Sequence, residues 1–315
     1  MKEEIFEKIL ADEMVLIDKP AGMTSFGVVA RVRRVLSEYA GKKIKVGHTG
    51  TLDPFATGLM ILMVGKGTKR CGEFLKKDKE YVAKLKLGFS STTGDTEGKI
   101  VRDEGFLRAL GFDDESLELG EKFLEFLKTS GFSREFLELD KEFLETLVAE
   151  LQKKADGFLG EITQTVPRFS AVKIQGRRAY DLARKGISVE MPTRKVRIYE
   201  MEILGVSWGA DGYESSGDLG SSGSSGSSED LGSSESSESF ESLEPGVLDV
   251  RDVEGDEMIV EFRAKVSSGT YIRTLGEDFA KALGTWGYLT ELRRTEIGDF
   301  RVEEAMKLEE LGVEE

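Results

Sequence analysis

Regular alternation of apolar and polar residues predicts β-strands with one buried face in two parts of the chain. The alternation is clearest over residues 81–87 and 258–266. Residues 14–19 read as a further strand that ends before Pro20, and residues 59–64 form a continuous apolar run typical of a buried strand. We therefore expect these four segments to belong to a sheet.

Apolar residues spaced three and four positions apart predict helices between these strands. Thr24 or Ser25 is a suitable N-cap for the first helix. Its apolar face consists of Val28, Val29, Val32, Val35 and Leu36. Shorter helices are predicted over residues 179–185 and 274–283, and a glycine follows each of them. Helices mixed with alternating strands indicate an α/β (α+β) sheet domain.

Two acidic stretches differ from the rest of the chain. Residues 103–150 contain 14 Asp and Glu against 5 Lys and Arg, and their apolar residues recur at helical spacing, which predicts an inserted helical segment. Residues 206–257 contain 14 acidic residues and one basic residue among repeated Gly and Ser, a composition that predicts a disordered insertion. We expect one domain spanning residues 1–315 that carries both insertions.

The location of the charge changes what the composition implies. The chain of 315 residues has a net charge of -15, which by itself argues against a nucleic-acid partner. Without the two acidic stretches, however, the remaining residues carry +7, so the core is basic. A single cysteine, Cys71, and a single histidine, His48, argue against a disulfide and against a zinc site. With no signal peptide and no apolar run of membrane-spanning length, we expect a cytoplasmic monomer without bound metal.

The densest group of unusual residues lies at positions 46–58, immediately before the apolar run. This segment holds three glycines, His48 and an aspartate, Asp53, that precedes a proline. Asp53 by itself is better explained as a turn or cap residue whose carboxylate bonds to its own backbone than as a catalytic group. His48 by itself is likewise better explained as a structural histidine.

Three further segments contain candidate residues. Arg273 follows a strand-breaking glycine and could pair with a buried carboxylate and hold it ionised, although an ordinary surface arginine also fits. Tyr271 would point to the same face as Arg273. Lys19 lies in a strand-to-helix turn, and Tyr81 begins a strand, where a half-buried aromatic residue is common.

Six segments form a distinctive set along the chain. They are residues 16–25 (LIDKPAGMTS), 47–58 (GHTGTLDPFATG), 79–82 (KEYV), 170–173 (SAVK) with 176–180 (GRRAY), 269–273 (GTYIR) and 292–295 (LRRT). Similar segments occur in the same order in the TruB family of pseudouridine synthases, which the chain resembles. The resemblance covers most of the chain outside the acidic stretches. It implies a mixed, largely antiparallel sheet flanked by helices. It also implies the isomerisation of a T-loop uridine of tRNA, conventionally position 55, without a cofactor.

The resemblance also implies roles for individual residues. Asp53 matches the catalytic aspartate, which acts as the nucleophile, and Arg273 matches the arginine that pairs with it. Tyr81 matches the tyrosine that stacks on the target base and is a candidate for proton transfer. The other matches are three substrate-binding residues, His48, Tyr271 and Leu292, and a structural motif, Lys19 and Pro20.

The implied reaction requires the target base to leave the helix stack, which costs a few kcal/mol. Stacking of the base on an aromatic side chain such as Tyr81 offsets roughly 1–3 kcal/mol of that cost. An ionised carboxylate can then attack C1′ or remove a proton from C2′, and both routes stay open. Basic residues of the core are candidates for phosphate contacts. They are Arg31, Arg33, Arg34, Lys42, Lys43, Lys45, Arg177, Arg178, Arg293 and Arg294.

The chain departs from the family pattern in two places. Residues 166–171 read VPRFSA where the family usually has Pro-Pro-x-Tyr-Ser-Ala, which alters the local loop. Only 21 residues follow Arg294, too few for the C-terminal PUA domain of many bacterial members.

Three alternatives remain open: a tRNA-folding chaperone without turnover, a pseudouridine synthase acting on other RNAs, and a structural protein without an RNA partner.

Overall fold

The computed structural model describes residues 2–102, 134–208 and 258–313. Most of the two predicted insertions, residues 103–133 and 209–257, therefore lies outside the described residues. The predicted disorder of the second insertion falls there, as does the first part of the predicted helical insertion.

The described residues form one nine-stranded sheet and two short two-stranded ribbons. The strands are β1 Met14–Lys19, β2 Val46–His48, β3 Thr57–Val64, β4 Lys79–Leu87, β5 Phe89–Ser91, β6 Ile100–Arg102, β7 Gly160–Thr165, β8 Lys173–Ile174, β9 Arg177–Arg178, β10 Thr193–Trp208, β11 Met258–Val266, β12 Gly287–Ile297 and β13 Phe300–Arg301. The main path is β1-β3-β12-β4-β11-β10-β7, with β2 beside β3 and β13 beside β12. Its strand pairs are antiparallel, except that β12 and β3 run parallel. The predicted mixed, largely antiparallel sheet is confirmed.

Helices pack on the sheet and connect its strands. They are α1 Lys2–Asp12, α2 Ser25–Tyr39, α3 Cys71–Leu75, α4 Arg134–Asp156, α5 Ala179–Arg184 and α6 Ile272–Ala282, with 3-10 turns at Gly65–Arg70, Val302–Glu304 and Leu308–Leu311. Thr24 is the N-cap of α2, and its hydroxyl oxygen accepts a hydrogen bond from the amide of Gly27 at 3.0 Å. Helix α6 begins two residues before the predicted start at position 274. Within the described ranges, none of the helices is both long and apolar enough to cross a membrane.

The borders of the two predicted insertions differ from the observed elements. Helix α4 continues to Asp156, six residues past the predicted end of the first insertion at position 150. Leu151 and Ala155 on this last part of α4 are buried in the core. Strand β10 likewise continues to Trp208, three residues into the range predicted as the second insertion. Both differences arise because the ends of these segments pack on, or pair with, the central sheet.

The core lies between the sheet and helices α2 and α6. Along β11 every second residue is buried, as the alternation predicts, and these side chains join the core cluster that contains Leu36 of α2 and Phe279 of α6. Strand β3 contributes Met60, Leu62 and Val64 to the same cluster. The residues between them, Leu59, Ile61 and Met63, join a second cluster on the opposite face. Burial on both faces explains why β3 has no polar positions to alternate with.

Candidate active site

The backbone around Asp53 is held by a buried lysine. The ammonium of Lys19, which is completely buried, donates to the carbonyl oxygens of Pro20 (2.7 Å), Met23 (2.7 Å) and Pro54 (3.0 Å). Burial lowers the pKa of Lys19 to about 8, and the nearby Asp53 carboxylate opposes this shift. Three carbonyl acceptors satisfy all three donors of the ammonium. Lys19 therefore joins the turn after β1 to the residue that follows Asp53.

Two other side chains hold the loop between β2 and β3. The hydroxyl of Ser25 donates to the carbonyl of Leu52 and accepts from its amide, both at 2.8 Å. The buried Arg294 of β12 donates to the carbonyls of Leu59 (2.8 Å) and Gly50 (3.3 Å). The loop that carries Asp53 is thus fixed at both ends by buried donors.

Arg294 corrects one sequence expectation. It was a candidate phosphate contact, yet its side chain is almost completely buried and its guanidinium bonds to the protein backbone. Its neighbour Arg293 forms two bonds to the Asp18 carboxylate, at 2.7 and 3.1 Å, and is partly exposed. Arg294 is consequently part of the support of the loop rather than of an RNA-facing surface.

Arg273 joins three separate segments at the site. Its side chain is 5% exposed, and its Nε lies 2.9 Å from Oδ2 of Asp53. Nη1 lies 3.3 Å from Oδ2 of Asp95 and donates to the carbonyl of Thr93 at 2.6 Å. Nη2 donates to the carbonyl of Phe169 at 2.9 Å. A planar guanidinium with several diverging donors suits this position, which no single-point cation could fill in the same way.

Asp95 is a site residue that the sequence analysis did not select. It is buried, and besides Arg273 its carboxylate accepts from the hydroxyl of Thr93 (2.5 Å) and the amide of Glu97 (3.0 Å). The only signal in the sequence is a Gly-Asp pair after a predicted strand, which an ordinary turn explains equally well. Two carboxylates, Asp53 and Asp95, therefore share one arginine.

The electrostatics of Asp53 depend on this arrangement. Burial raises the pKa of Asp53 above its usual range, Arg273 opposes that shift, and Asp95 adds to it. The side chain of Asp53 is nevertheless 34% exposed, so a bound substrate could reach its carboxylate. Because burial disfavours the charged form, the ionised state of Asp53 relies on Arg273 and, to a smaller extent, on Lys19.

A cleft of about 840 Å³ opens beside this loop. Its lining includes Pro54 and Phe55, which follow Asp53, and Leu292 of β12. Ala83 of β4, the register partner of Leu292, also faces it. Tyr81 lies two residues earlier on β4, is buried, and is the register partner of Arg294. Among the candidate residues, Leu292 lines this cleft, whereas Asp53, Arg273, Tyr81, His48 and Tyr271 are not among its lining residues.

The remaining candidates lie around the same loop. His48, in β2, accepts a hydrogen bond from the amide of Gly50 through Nδ1 at 3.3 Å. Burial, together with Arg294, lowers the pKa of His48 and so favours the neutral imidazole. Tyr271 is the N-cap residue of α6, two positions before Arg273. Across the described ranges, no group of three or more His, Cys, Asp or Glu side chains is arranged to hold a metal ion.

The sequence matches two family descriptions. Residues 33–118 and 127–214 match the TruB family pseudouridylate synthase (N terminal domain), and residues 273–314 match the tRNA pseudouridylate synthase B C-terminal domain. A protein of Desulfotalea psychrophila named tRNA pseudouridine synthase B is 37% identical over 92% of this chain and 84% of its own. Its namesake from Aquifex aeolicus is 36% identical over 95% of this chain and 73% of its own.

Among solved structures, a crystal structure of a Cbf5-Nop10-Gar1 complex contains a similar chain. The two chains are 21% identical with a TM-score of 0.50, and the match covers 96% of this chain and 54% of that one. This chain therefore spans about half the length of that structure, and the likeness concerns the fold alone.

Proposed function

The chain belongs to the TruB family of pseudouridine synthases, and we propose that it isomerises the T-loop uridine of tRNA at position 55 to pseudouridine. One observation carries the proposal: Arg273 pairs at 2.9 Å with Asp53, an accessible carboxylate on a rigidly held loop beside a cleft. The relatives that match over most of their length are named tRNA pseudouridine synthase B, which supports tRNA as the substrate.

In the proposed reaction the target uridine leaves the helix stack and reaches Asp53 from the side of the cleft lined by Pro54 and Phe55. The C1′–N1 bond breaks, the base turns, C1′ joins C5, and the hydrogen at C5 is lost to solvent while N1 gains a proton. Asp53 either attacks C1′ as a nucleophile or removes a proton from C2′ as a base. Both routes need the carboxylate ionised, and Arg273 favours that state.

The other site residues receive roles that fit their positions. Tyr81 would stack on the extruded base, a contact worth roughly 1–3 kcal/mol. Leu292 lines the cleft and would pack against the base, whereas His48 and Tyr271 border the loop and would contact the RNA around the target nucleotide. Lys19 and Pro20 support the loop. This chemistry requires neither a cofactor nor a metal, because a carboxylate serves as nucleophile or base.

Basic side chains outside the site would hold the phosphates of the RNA. Arg34, Lys42, Lys43, Lys45, Arg177 and Arg178 are exposed, and Arg31, Arg33 and Arg293 are partly exposed. We further propose one catalytic domain that acts as a cytoplasmic monomer, with the two acidic stretches as insertions. Light scattering of the purified protein, alone and with tRNA, measures its molar mass and so tests whether it is a monomer.

The proposed function is tested by incubating the protein with an unmodified tRNA transcript and mapping pseudouridine by carbodiimide treatment and primer extension. We expect one new stop that reports position 55, absent with the Asp53→Asn variant and with a transcript that carries cytidine at position 55. Tight binding without any modification would support an RNA chaperone instead. Modification of other RNAs but not of tRNA would assign the protein to a different substrate class.

A further inference from the structure

We infer that Gln164 and Arg194, a cross-strand pair that bonds to the turn before α6, are positioning residues for the catalytic ion pair. The inference rests on the proposed function. Both residues bond to the turn at positions 269–271. Arg273 lies two residues after this turn, at the start of α6.

Gln164, in the edge strand β7, holds the backbone of Tyr271 at two points. Its Nε2 donates to the carbonyl oxygen of Tyr271 at 3.2 Å, and its Oε1 accepts from the amide of the same residue at 3.0 Å. The Gln164 side chain is completely buried. A buried amide is costly unless its polar atoms are paired, and these two bonds pair the oxygen and one N–H with a single residue. They therefore fix both the position and the orientation of the Tyr271 backbone.

Arg194, in β10, is the register partner of Gln164 and holds the same turn from the next strand. Its Nη1 donates to the carbonyl of Gly269 at 3.0 Å, and its guanidinium carbon lies 5.2 Å from the centre of the Tyr271 ring. Gly269 has a φ of +88°, and a Cβ there would lie 2.8 Å from Nη1 of Arg194. The glycine thus permits both the turn and the close approach of the guanidinium.

The connection from this turn to the ion pair is short. Tyr271 is the N-cap of α6, and Arg273 lies in the first turn of that helix. The chain segment that follows β7 provides the carbonyl of Phe169, which accepts a bond from Nη2 of Arg273. Strand β7 and its extension consequently hold both the base of the Arg273 side chain and its tip. A shift of the turn would move the guanidinium relative to Asp53, and errors near 1 Å can cost about 10²-fold in rate.

The test compares two Gln→Met variants that remove the same kind of contact. Gln164→Met removes both bonds to Tyr271. The control, Gln152→Met, removes a similar pair on α4, where the partly exposed Gln152 donates to the carbonyl of Met201 (2.9 Å) and accepts from the amide of Ile203 (2.8 Å). Gln152 also donates to the carboxylate of Asp156 on the same helix (2.8 Å). We expect Gln164→Met to lower kcat at least about tenfold with KM changed less than about threefold, and Gln152→Met to leave both within about twofold.

A second readout does not depend on turnover. Asp53 is faced by Arg273, Asp95, Lys19 and Glu97, so its titration reports the distance of the guanidinium. Carbon-13 NMR of the side-chain carboxyl, assigned with Asp53→Asn, should show a higher pKa in Gln164→Met than in the parent. Gln152→Met should not change it. This measurement uses the full-length protein without RNA.

Arg194→Met provides an independent variant, because Arg194 is partly exposed and its loss leaves no buried cavity. We expect the same direction of change in kcat and in the pKa of Asp53, with partial recovery in Arg194→Lys. A Gln164→Met protein with unchanged kcat and an unchanged Asp53 titration would overturn the positioning role. If the parent protein failed to modify tRNA while the Asp53 titration still shifted, the proposed function would fail and the positioning role would stand.

Discussion

Replacing Arg273 with lysine tests the central ion pair without removing its charge. The guanidinium makes four contacts in different directions: two carboxylates, Asp53 and Asp95, and two carbonyls, those of Thr93 and Phe169. A lysine ammonium concentrates its donors on one atom and can stay close to only one of these groups of acceptors. We therefore expect Arg273→Lys to behave as a severe substitution.

The expected magnitude follows from the contacts that are lost. An ammonium that remains between the two carboxylates leaves the partly buried carbonyls of Thr93 and Phe169 without this donor. At about 1–2 kcal/mol each, the low end for unpaired buried groups, the free energy of unfolding falls by about 2–4 kcal/mol. Typical domains have a free energy of unfolding of about 5–15 kcal/mol, so the variant should still fold. Loss of a preorganised charged donor at the reacting centre should lower kcat by about 10²–10³-fold.

Tritium release measures the reaction directly. The hydrogen at C5 of uridine leaves when C1′ joins C5, so tRNA labelled with tritium at that carbon releases label into water on each turnover. The pH dependence of the tritium-release rate supplies a second measurement. Asp53 acts in its ionised form, so activity falls as the pH drops through its pKa. Arg273 lowers the pKa of Asp53 in the parent, and the ammonium of the Arg273→Lys variant should lower it less. The acidic limb of the pH–activity profile, where activity is lost as the pH falls, should therefore move to higher pH.

Two results would refute this reasoning. Parental kcat in Arg273→Lys would show that the geometry of the guanidinium is unimportant. An acidic limb at the parental pH, despite a large drop in kcat, would show that Arg273 does not act through the charge of Asp53. Thermal unfolding of the variant by circular dichroism separates both outcomes from simple loss of the fold.

The remaining predictions concern single residues and the RNA interface. Asp53→Asn should abolish tritium release while unfolding temperature and tRNA binding in a filter assay stay close to parental values; turnover near the parental rate would contradict its role. Asp95→Asn removes a charge that raises the pKa of Asp53, so the acidic limb should move to lower pH, opposite to Arg273→Lys. Gly58→Ala places a Cβ against the backbone of Arg294 at a φ of +102°, and it should lower the free energy of unfolding by about 3 kcal/mol or more. Gly22→Ala, at a φ of +75° with open space around the Cβ, should lower it by only about 1 kcal/mol. Chemical denaturation measures both values. Binding of tRNA should weaken with salt by a log–log slope of roughly -0.7 to -0.9 per phosphate contacted, and salt-independent binding would rule out a basic docking face.

Several elements could be predicted because their signals are local. The strands over residues 14–19 and 258–266 have the predicted bounds, and α2 begins after Thr24, one of the two predicted caps. Alternation, helical spacing and capping each depend on neighbouring residues only. Strand β12 was not predicted, since two register irregularities interrupt its alternation and a buried arginine occupies a core position. The prediction that residues 209–257 are disordered stays a prediction.

The sequence also determined which residue types were available for the chemistry, although not how they meet. Asp53 and Arg273 could be selected because their segments resemble those of the TruB family, whereas each residue alone also fits an ordinary turn or surface position. The structure brings the two side chains to 2.9 Å. Asp95 was not selected, and its proximity to Arg273 arises only because the loop after β5 and the start of α6 meet in space.

Arg294 shows most clearly what only the tertiary structure decided. By type and sequence position it resembled its neighbour Arg293, and both were candidates for phosphate contacts. Alternating side chains of a strand point to opposite faces, and the sheet places Arg294 on the covered one. There the carbonyls of Leu59 and Gly50 accept its donors, whereas Arg293 pairs with Asp18 at a partly exposed position. A charged residue can be buried only where such partners are present, and partners from distant segments are set by the packing of the whole sheet rather than by the neighbouring sequence.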